Sequence, residues 1–262
     1  RTKWADYFNL ELPTLAEKKE VDVLYWVGCA GSYDPRNQGI ARDLVKILKN
    51  ANIDFAILGK EETCTGDSAR RLGEEYLFET LATQNIETLN KYKFNTVITA
   101  CPHCFQVISK EYKDFGGDYN VVHHSTYIQQ LIDENKITVS PNIDGTVTYH
   151  DACYLGRYND VYEAPRSIIE SLLKDGEIVE MEDNKSGSLC CGAGGGNMWH
   201  EVTEGDRINI KRFNQAINTQ ADTVATACSF CAIMMEDAKN VTGNEDKIQT
   251  LDVAELVAKS IE

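Results

Sequence analysis

Nine cysteines are the residues of this 262-residue sequence whose type and spacing could do chemistry. The first half holds four of them and the second half five, at Cys29, Cys64, Cys101, Cys104, Cys153, Cys190, Cys191, Cys228 and Cys231. Each half ends in a C-x-x-C pair, and 34 to 36 residues separate the successive cysteines that lead up to it, apart from the adjacent Cys190 and Cys191. An odd number leaves one cysteine over in any scheme made only of disulfides. The pattern therefore favours metal ligation in a reducing compartment.

The segments around the cysteines repeat as well. Residues 23–29 (VLYWVGC) correspond to 146–153 (TVTYHDAC), and residues 95–104 (NTVITACPHC) correspond to 222–231 (DTVATACSFC). Self-similarity at a fixed period indicates a duplicated unit. We expect a linker over 1–20, a four-cysteine domain over 21–140 and a five-cysteine domain over 141–262. The boundary falls in the turn-forming SPNIDG of residues 140–145.

Two other uses of the cysteines stay open at this point. Structural zinc usually takes its ligands from two closely spaced pairs, whereas each half has one pair, and five cysteines exceed what zinc uses. CPHC also resembles a thioredoxin-like dithiol between a strand and a helix. Its repeat partner CSFC, however, comes with further cysteines at fixed offsets that dithiol exchange does not need. An iron–sulfur site in each half is the preferred interpretation.

Glycines and histidines next to the cysteines are candidates for a supporting role. Gly192 and Gly194 follow the adjacent cysteines instead of a strand, so a nucleotide loop is a weak interpretation. Glycines there would let backbone N–H groups approach a bulky cluster and would tolerate positive φ. His103 and His150 could donate to a cluster, although a hydrogen-bonded surface histidine is the favoured interpretation of each.

Short β-branched runs alternate with longer amphipathic stretches, which predicts an α/β fold. In the first half we expect strands over 21–27, 55–58, 96–100 and 121–124, and helices over 39–50, 69–92 and from Pro102 onward. The fold would consist of two pseudo-symmetric repeats, each a small parallel sheet flanked by helices. The cysteines after the strands would then meet at the carboxyl edge of each sheet, where such domains bind ligands.

Composition excludes several classes of function. There are 41 acidic and 26 basic residues, so the formal charge of −15 disfavours binding to nucleic acid or to anionic membrane surfaces. No apolar run approaches the roughly 20 residues that span a bilayer. The sequence begins with arginine and not methionine, so we expect it to continue a longer protein, with a membrane or redox module outside it.

The order of Cys153, CCG at 190–192 and CSFC at 228–231 resembles the cysteine-rich CCG domain of the heterodisulfide reductase B subunit family. The resemblance covers nearly the whole chain in two tandem copies. It implies that the five cysteines of the second half hold a noncubane [4Fe-4S] cluster. In the first half Thr65 stands where the motif has its second adjacent cysteine, and we expect an ordinary cubane [4Fe-4S] cluster on the four cysteines there. An empty or zinc-filled first site is the alternative.

Five segments of the sequence are similar to segments of the iron–sulfur oxidoreductases associated with electron-transfer flavoprotein. These segments are WVGCAG, EETCTGD, TACPHC, YHDACYLGRYN and CCGAGGG. That resemblance implies electron transfer between a flavoprotein of this type and a quinone pool. It also implies a cytoplasmic location, with attachment to the inner face of the cell membrane through a part or subunit outside this sequence. The alternative is an enzyme that reduces a disulfide substrate at the noncubane cluster. No separate acid–base constellation is needed for one-electron steps.

Overall fold

The computed structural model of the chain describes residues 1–200, 202, 205 and 207–261. The α-helices within these residues are α1 (Lys3–Tyr7), α2 (Leu15–Lys18), α3 (Gly28–Tyr33), α4 (Pro35–Asn50), α5 (Asp67–Arg71), α6 (Glu75–Leu89), α7 (Pro102–Ser109), α8 (His124–Asp133), α9 (Glu163–Leu172), α10 (Ile208–Asn218), α11 (Ser229–Val241) and α12 (Val253–Ala258). The strands are β1 (Glu20–Tyr25), β2 (Phe55–Ile57), β3 (Lys93–Thr99), β4 (Val121–His123), β5 (Val147–Tyr149), β6 (Thr223–Thr226) and β7 (Gln249–Asp252).

Each half contains one parallel sheet with helices packed against it. The first sheet has the order β2-β1-β3-β4 and the second the order β5-β6-β7, and every pairing within them is parallel. Ile178 forms a single parallel bridge with Val147 of β5. This bridge corresponds to the pairing of β2 with β1 in the first sheet. The predicted α/β fold of two pseudo-symmetric repeats is therefore confirmed.

Local sequence signals explain where the helices begin and end. Asp34 accepts a hydrogen bond from the backbone N–H of Asn37 at 2.9 Å, and Pro35 occupies the first helical position, so α4 begins before the expected residue 39. The expected helix over 69–92 is two helices, α5 and α6. Gly73 lies between them with a φ of +86°, a left-handed conformation that ends α5.

The two halves share one apolar core. Helix α4 of the first half packs against α12 of the second, and α8 of the first half packs against α9 of the second, in a pseudo-twofold arrangement. Arg36 makes two hydrogen bonds with the carboxylate of Glu255 across this seam, at 2.7 and 2.6 Å. His124 Nε2 lies 2.8 Å from Asp252 Oδ1, and both side chains are fully buried. These contacts fix the position of one sheet relative to the other.

Residues 1–20, for which a linker is expected, contain α1, α2 and the first residue of β1. The side chains of Trp4 and Leu15 are fully buried, and the backbone N–H of Ile57 in β2 donates to the carbonyl oxygen of Pro13 at 3.0 Å. The segment is thus packed along the edge of the first sheet. Among the described residues, none of the helices combines the length and the apolar character required to cross a bilayer.

The packing of α1 gives a prediction about stability. Replacing Trp4 with alanine removes a fully buried indole, so we expect the free energy of unfolding to fall by about 3 to 5 kcal/mol. Urea unfolding of the anaerobically purified chain measures this change. Tyr7→Ala on the same helix is the control, because Tyr7 is 76% exposed. Equal stability of both variants and the original chain would mean that the segment does not contribute to the core.

Candidate metal centres

The carboxyl ends of the strands bring each set of cysteines together. Cys101 and Cys228 directly precede α7 and α11, which follow the central strands β3 and β6, and Cys104 and Cys231 lie in the first turns of these helices. Cys29 lies in α3, just after β1. The unpaired N–H groups and the positive dipole end at a helix start favour negative charge. This environment suits thiolates.

The first set of thiols lines one small cavity. All four cysteines of the first half face it, together with Thr65, Asp67 and His103 of that half. Ser229 and Phe230 of the second half complete the wall. Cys64 is exposed, whereas Cys101 and Cys104 are buried. The first site is therefore open toward solvent on the side of Cys64.

The second set of thiols forms a continuous cluster. Cys231 Sγ lies 3.3 Å from Cys191 Sγ. Cys190 receives hydrogen bonds from the thiols of Cys153 and Cys191, and the side chains of Cys228 and Cys231 are also hydrogen-bonded to each other. All five cysteines predicted for the second half therefore converge at one place. Three of them are buried, and Cys153 and Cys190 are half-buried.

The same tight turn presents a backbone N–H to sulfur in both halves. The N–H of Gly66 donates to Cys64 Sγ at 3.4 Å, and the N–H of Gly192 donates to Cys190 Sγ at 3.3 Å. Their φ angles are +91° and +87°. A Cβ on Gly66 would lie 2.8 Å from the ring of Phe78, so both conformation and space require glycine there.

Protons are shared unequally among the thiols. The hydrogen bond from Cys29 lowers the pKa of Cys64 to about 6, and the bond from Cys104 lowers that of Cys101 to about 7. The same two bonds, with burial, raise the pKa values of the donor thiols. In the second half the thiols of Cys153 and Cys191 lower the pKa of Cys190 far below its usual value. Within each set, the thiol that accepts a hydrogen bond is therefore favoured as the thiolate, while the thiol that donates the bond keeps its proton.

Thr65 occupies in the first half the place that Cys191 has in the second. Its Oγ1 lies 3.8 Å from Cys104 Sγ, and Cys191 Sγ makes the corresponding contact with Cys231. The carbonyl oxygen of Thr65 accepts a hydrogen bond from Tyr112 at 3.1 Å. The first site thus has a hydroxyl at the position of the fifth thiol.

His103 lies between the two sites. Its Nδ1 is 2.8 Å from Asp67 Oδ2, its ring stacks on Tyr154 at 4.0 Å between centroids, and the ring of Phe230 is 5.0 Å away. Burial lowers the pKa of His103, but Asp67 and the nearby thiolates outweigh that effect and raise it to about 9. Gly194 also lies close to His103, because a Cβ on this glycine would be 3.7 Å from His103 Cε1.

His150 is fully buried beside the second site. Its Nε2 lies 3.3 Å from Cys231 Sγ, and Arg212 Nε donates to its Nδ1 at 2.9 Å. Burial and then the charge of Arg212 lower the pKa of His150 to about 3. The interpretation of His103 and His150 as surface histidines is wrong, because both are buried. Arg212 was not found from the sequence, since it is far from every motif and its burial cannot be seen there.

The donor sets fit iron–sulfur clusters. Convergent thiols, N–H groups aimed at sulfur and glycines at the closest backbone approach are the features that such clusters require. The four cysteines of the first half and the five of the second would be the ligands. When bound, a cluster supplies one-electron chemistry, and its potential depends on hydrogen bonds to sulfur, charge and burial.

Comparison with known proteins supports this chemistry. A family model described as CCG, a cysteine-rich domain, matches residues 23–109 and again residues 147–236. Over 266 residues the chain is 40% identical to the "Probable iron-sulfur-binding oxidoreductase FadF" of Bacillus subtilis, an alignment that covers 100% of this chain and 38% of the relative. It is 39% identical over 251 residues to the "EtfAB:quinone oxidoreductase" of Syntrophomonas wolfei, covering 93% of this chain and 35% of the relative.

A third relative is part of a heterodisulfide reductase. The chain is 31% identical over 255 residues to one component of the dihydromethanophenazine:CoB--CoM heterodisulfide reductase of Methanosarcina barkeri, covering 95% of this chain and 61% of the relative. The chain thus spans less than two thirds of the length of each of these three relatives. Their names support iron–sulfur binding and electron transfer in general terms. Because the family model matches both halves, the chain belongs to the CCG cysteine-rich domain family, of which it carries two copies in tandem.

Proposed function

We propose that this chain is an iron–sulfur electron-transfer unit with a cubane [4Fe-4S] cluster in the first half and a noncubane [4Fe-4S] cluster in the second. The observation that carries the proposal is the convergence of the cysteines into two sets that adjoin each other. Ser229 and Phe230, from the second C-x-x-C turn, line the cavity of the first set. An electron that enters one set is therefore close to the other.

The residues between the two sets favour this transfer. His103 and Phe230 hold equivalent positions in the two C-x-x-C turns, and their rings are 5.0 Å apart between centroids. His103 is 4% exposed and Phe230 is 7% exposed, so the contact excludes water from the space between the sets. The side chains of the chain thus bind and orient the redox groups, while the thiolates and N–H donors set their potentials.

The partner assignment rests on the relatives. The name of one of them joins an electron-transfer flavoprotein to a quinone, and the chain aligns with it over 93% of its own length. We assign this chain the same role, between a flavoprotein of that type and a quinone pool. Since the quinone pool lies in the membrane, the unit would work at the inner face, attached through a part of the protein outside this chain.

A disulfide reductase is the second candidate. A cavity of about 140 Å³ lies next to Gly192 of the CCG motif, and Met198, Ile208 and Met234 are among the residues that line it. Asn197 and Arg207 also line this cavity and no described cysteine does, so a disulfide substrate bound there would reach the thiols past Gly192. The heterodisulfide reductase relative is consistent with that activity.

Metal analysis tests the cofactor assignment. We expect about eight iron and eight sulfide per chain after anaerobic purification, because two four-iron clusters account for both sets. Cys228→Ser combined with Cys231→Ser should reduce both contents to about four, since the first set is left intact. Zinc without sulfide in the original chain would contradict the assignment.

Anaerobic turnover separates the two candidate functions. Reduced electron-transfer flavoprotein should bleach the cluster absorbance of the chain, and a quinone analogue should restore it. The same preparation should not reduce the CoB–CoM heterodisulfide. Efficient heterodisulfide reduction without any reaction with the flavoprotein would favour the reductase instead. Cys101→Ser combined with Cys104→Ser is the control, because it removes ligands of the first set only.

Exchange of one residue tests the assignment of cluster types. Cys191→Thr gives the second half the donor set of the first, so we expect its electron paramagnetic resonance spectrum to change to that of a cubane cluster while the iron content is retained. Thr65→Cys should have the opposite effect in the first half, and Thr65→Ser is its control because serine keeps the hydroxyl. Spectra that do not respond to Cys191→Thr would show that Cys191 is not a ligand.

A further inference from the structure

The second set of cysteines has a buried cation close to it. Arg212 of α10 is fully buried, and its Nη1 donates to the carbonyl oxygen of Asp183 and to Gln215 Oε1, both at 2.7 Å. Its Nε donates to His150 Nδ1 at 2.9 Å. A guanidinium keeps its proton in proteins, so a full positive charge lies beside the thiols.

The contact with Arg212 decides which nitrogen of His150 carries the proton. Arg212 Nε is only a donor, so His150 Nδ1 must accept and the proton of the neutral ring lies on Nε2. That Nε2–H faces Cys231 Sγ at 3.3 Å. The nitrogen and the sulfurs of Cys191 and Cys231 lie within 4.8 Å of one another, a spacing that could suggest a metal ligand. The protonated nitrogen instead makes His150 a hydrogen-bond donor to sulfur.

The corresponding positions of the first half hold residues without charge. Trp26 stands three positions before Cys29, as His150 stands three before Cys153. Asn85 stands sixteen positions before Cys101, as Arg212 stands sixteen before Cys228. Asn85 Nδ2 donates to the carbonyl oxygen of Cys64 at 2.8 Å and to Tyr112 at 3.0 Å. The half with four thiols therefore lacks the cation at this place, and the half with five has it.

Other charged groups near Arg212 do not remove its effect. Asp151 is close to it, but both carboxylate oxygens of Asp151 are bound by Arg166 at 2.8 Å. Asp183 is exposed, and its carboxylate accepts a hydrogen bond from Gln215. A buried thiolate is costly unless a charge or a donor compensates it. Arg1 and His103 lie near the thiols of the first half, but at the positions of Arg212 and His150 only the second half, with its fifth thiol, has a cation and an N–H donor directed at sulfur.

We propose that Arg212 and His150 compensate the charge of the fifth thiolate and raise the reduction potential of the group that the second set holds. Arg212 is a positioning residue, since it directs the Nε2–H of His150 toward Cys231, and it also adds a positive charge. Hydrogen bonds to sulfur and positive charge both stabilise the reduced, more negative state. The inference rests on the proposed function, because it requires clusters in this chain.

A redox titration of the anaerobically purified chain, followed by electron paramagnetic resonance, tests the proposal. Arg212→Gln should lower the equilibrium constant for one-electron reduction of the second cluster at least tenfold, which corresponds to about 59 mV. Arg212→Lys keeps the charge and should lower it less than threefold. His150→Phe removes the donor and should also lower it. The first cluster is the internal reference and should not change.

Arg207→Gln is the matched control. Arg207 directly precedes α10, the helix of Arg212, and its guanidinium pairs with Asp237. This variant should leave both potentials unchanged.

Iron content distinguishes the outcomes. Loss of iron from the second set in Arg212→Gln but not in Arg212→Lys would support the role of charge. Equal shifts in the two variants, equal loss of iron in both, or no shift with iron retained would overturn the inference. Absence of iron from the original chain would instead overturn the proposed function.

Discussion

The mutual repulsion of buried thiolates is the constraint on which the rest of the structure depends. Parallel strands end at one edge, and the chain places its cysteines at these ends, so thiols that are distant in sequence become neighbours. In the first set the hydrogen bond between Cys29 and Cys64, followed by burial and the charges of neighbouring thiols, raises the pKa of Cys29, while the same bond lowers the pKa of Cys64. Positive charge must take the place of the shared protons. Iron, helix N-termini and backbone N–H groups supply it.

The shared core holds the two sets of cysteines at a fixed distance from each other. Leu44 and Ile128 of the first half belong to the same buried cluster as Ile168 and Val257 of the second. The ion pair between Arg36 and Glu255 crosses the same seam. Separate domains joined by a flexible linker would vary their separation. Here the pseudo-twofold packing places the two C-x-x-C turns against each other, so His103 meets Phe230.

Features that repeat along the chain could be predicted from the sequence, and features that depend on contacts between the halves could not. The spacing of the cysteines and the β-branched runs correctly indicated two parallel sheets with cysteines at their ends. Gly73 divides a helix for which the apolar pattern continues, because a left-handed residue leaves no trace in hydrophobic periodicity. The packing of Trp4 and the burial of His103 depend on distant partners. The sequence around a residue does not identify partners that are distant along the chain.

One difference between the duplicated halves lies directly beside their cysteines. Both retain the glycine turn that directs an N–H to sulfur, since Gly66 and Gly192 have nearly the same φ. Around this common turn, Thr65 in one half corresponds to Cys191 in the other. A cluster requires the backbone to come close to it, and this requirement accounts for the turn that both halves share. The residue beside the turn determines how many negative charges must be balanced. The backbone can therefore stay the same in both halves while side chains packed behind it, such as Arg212, adjust each site to its own charge.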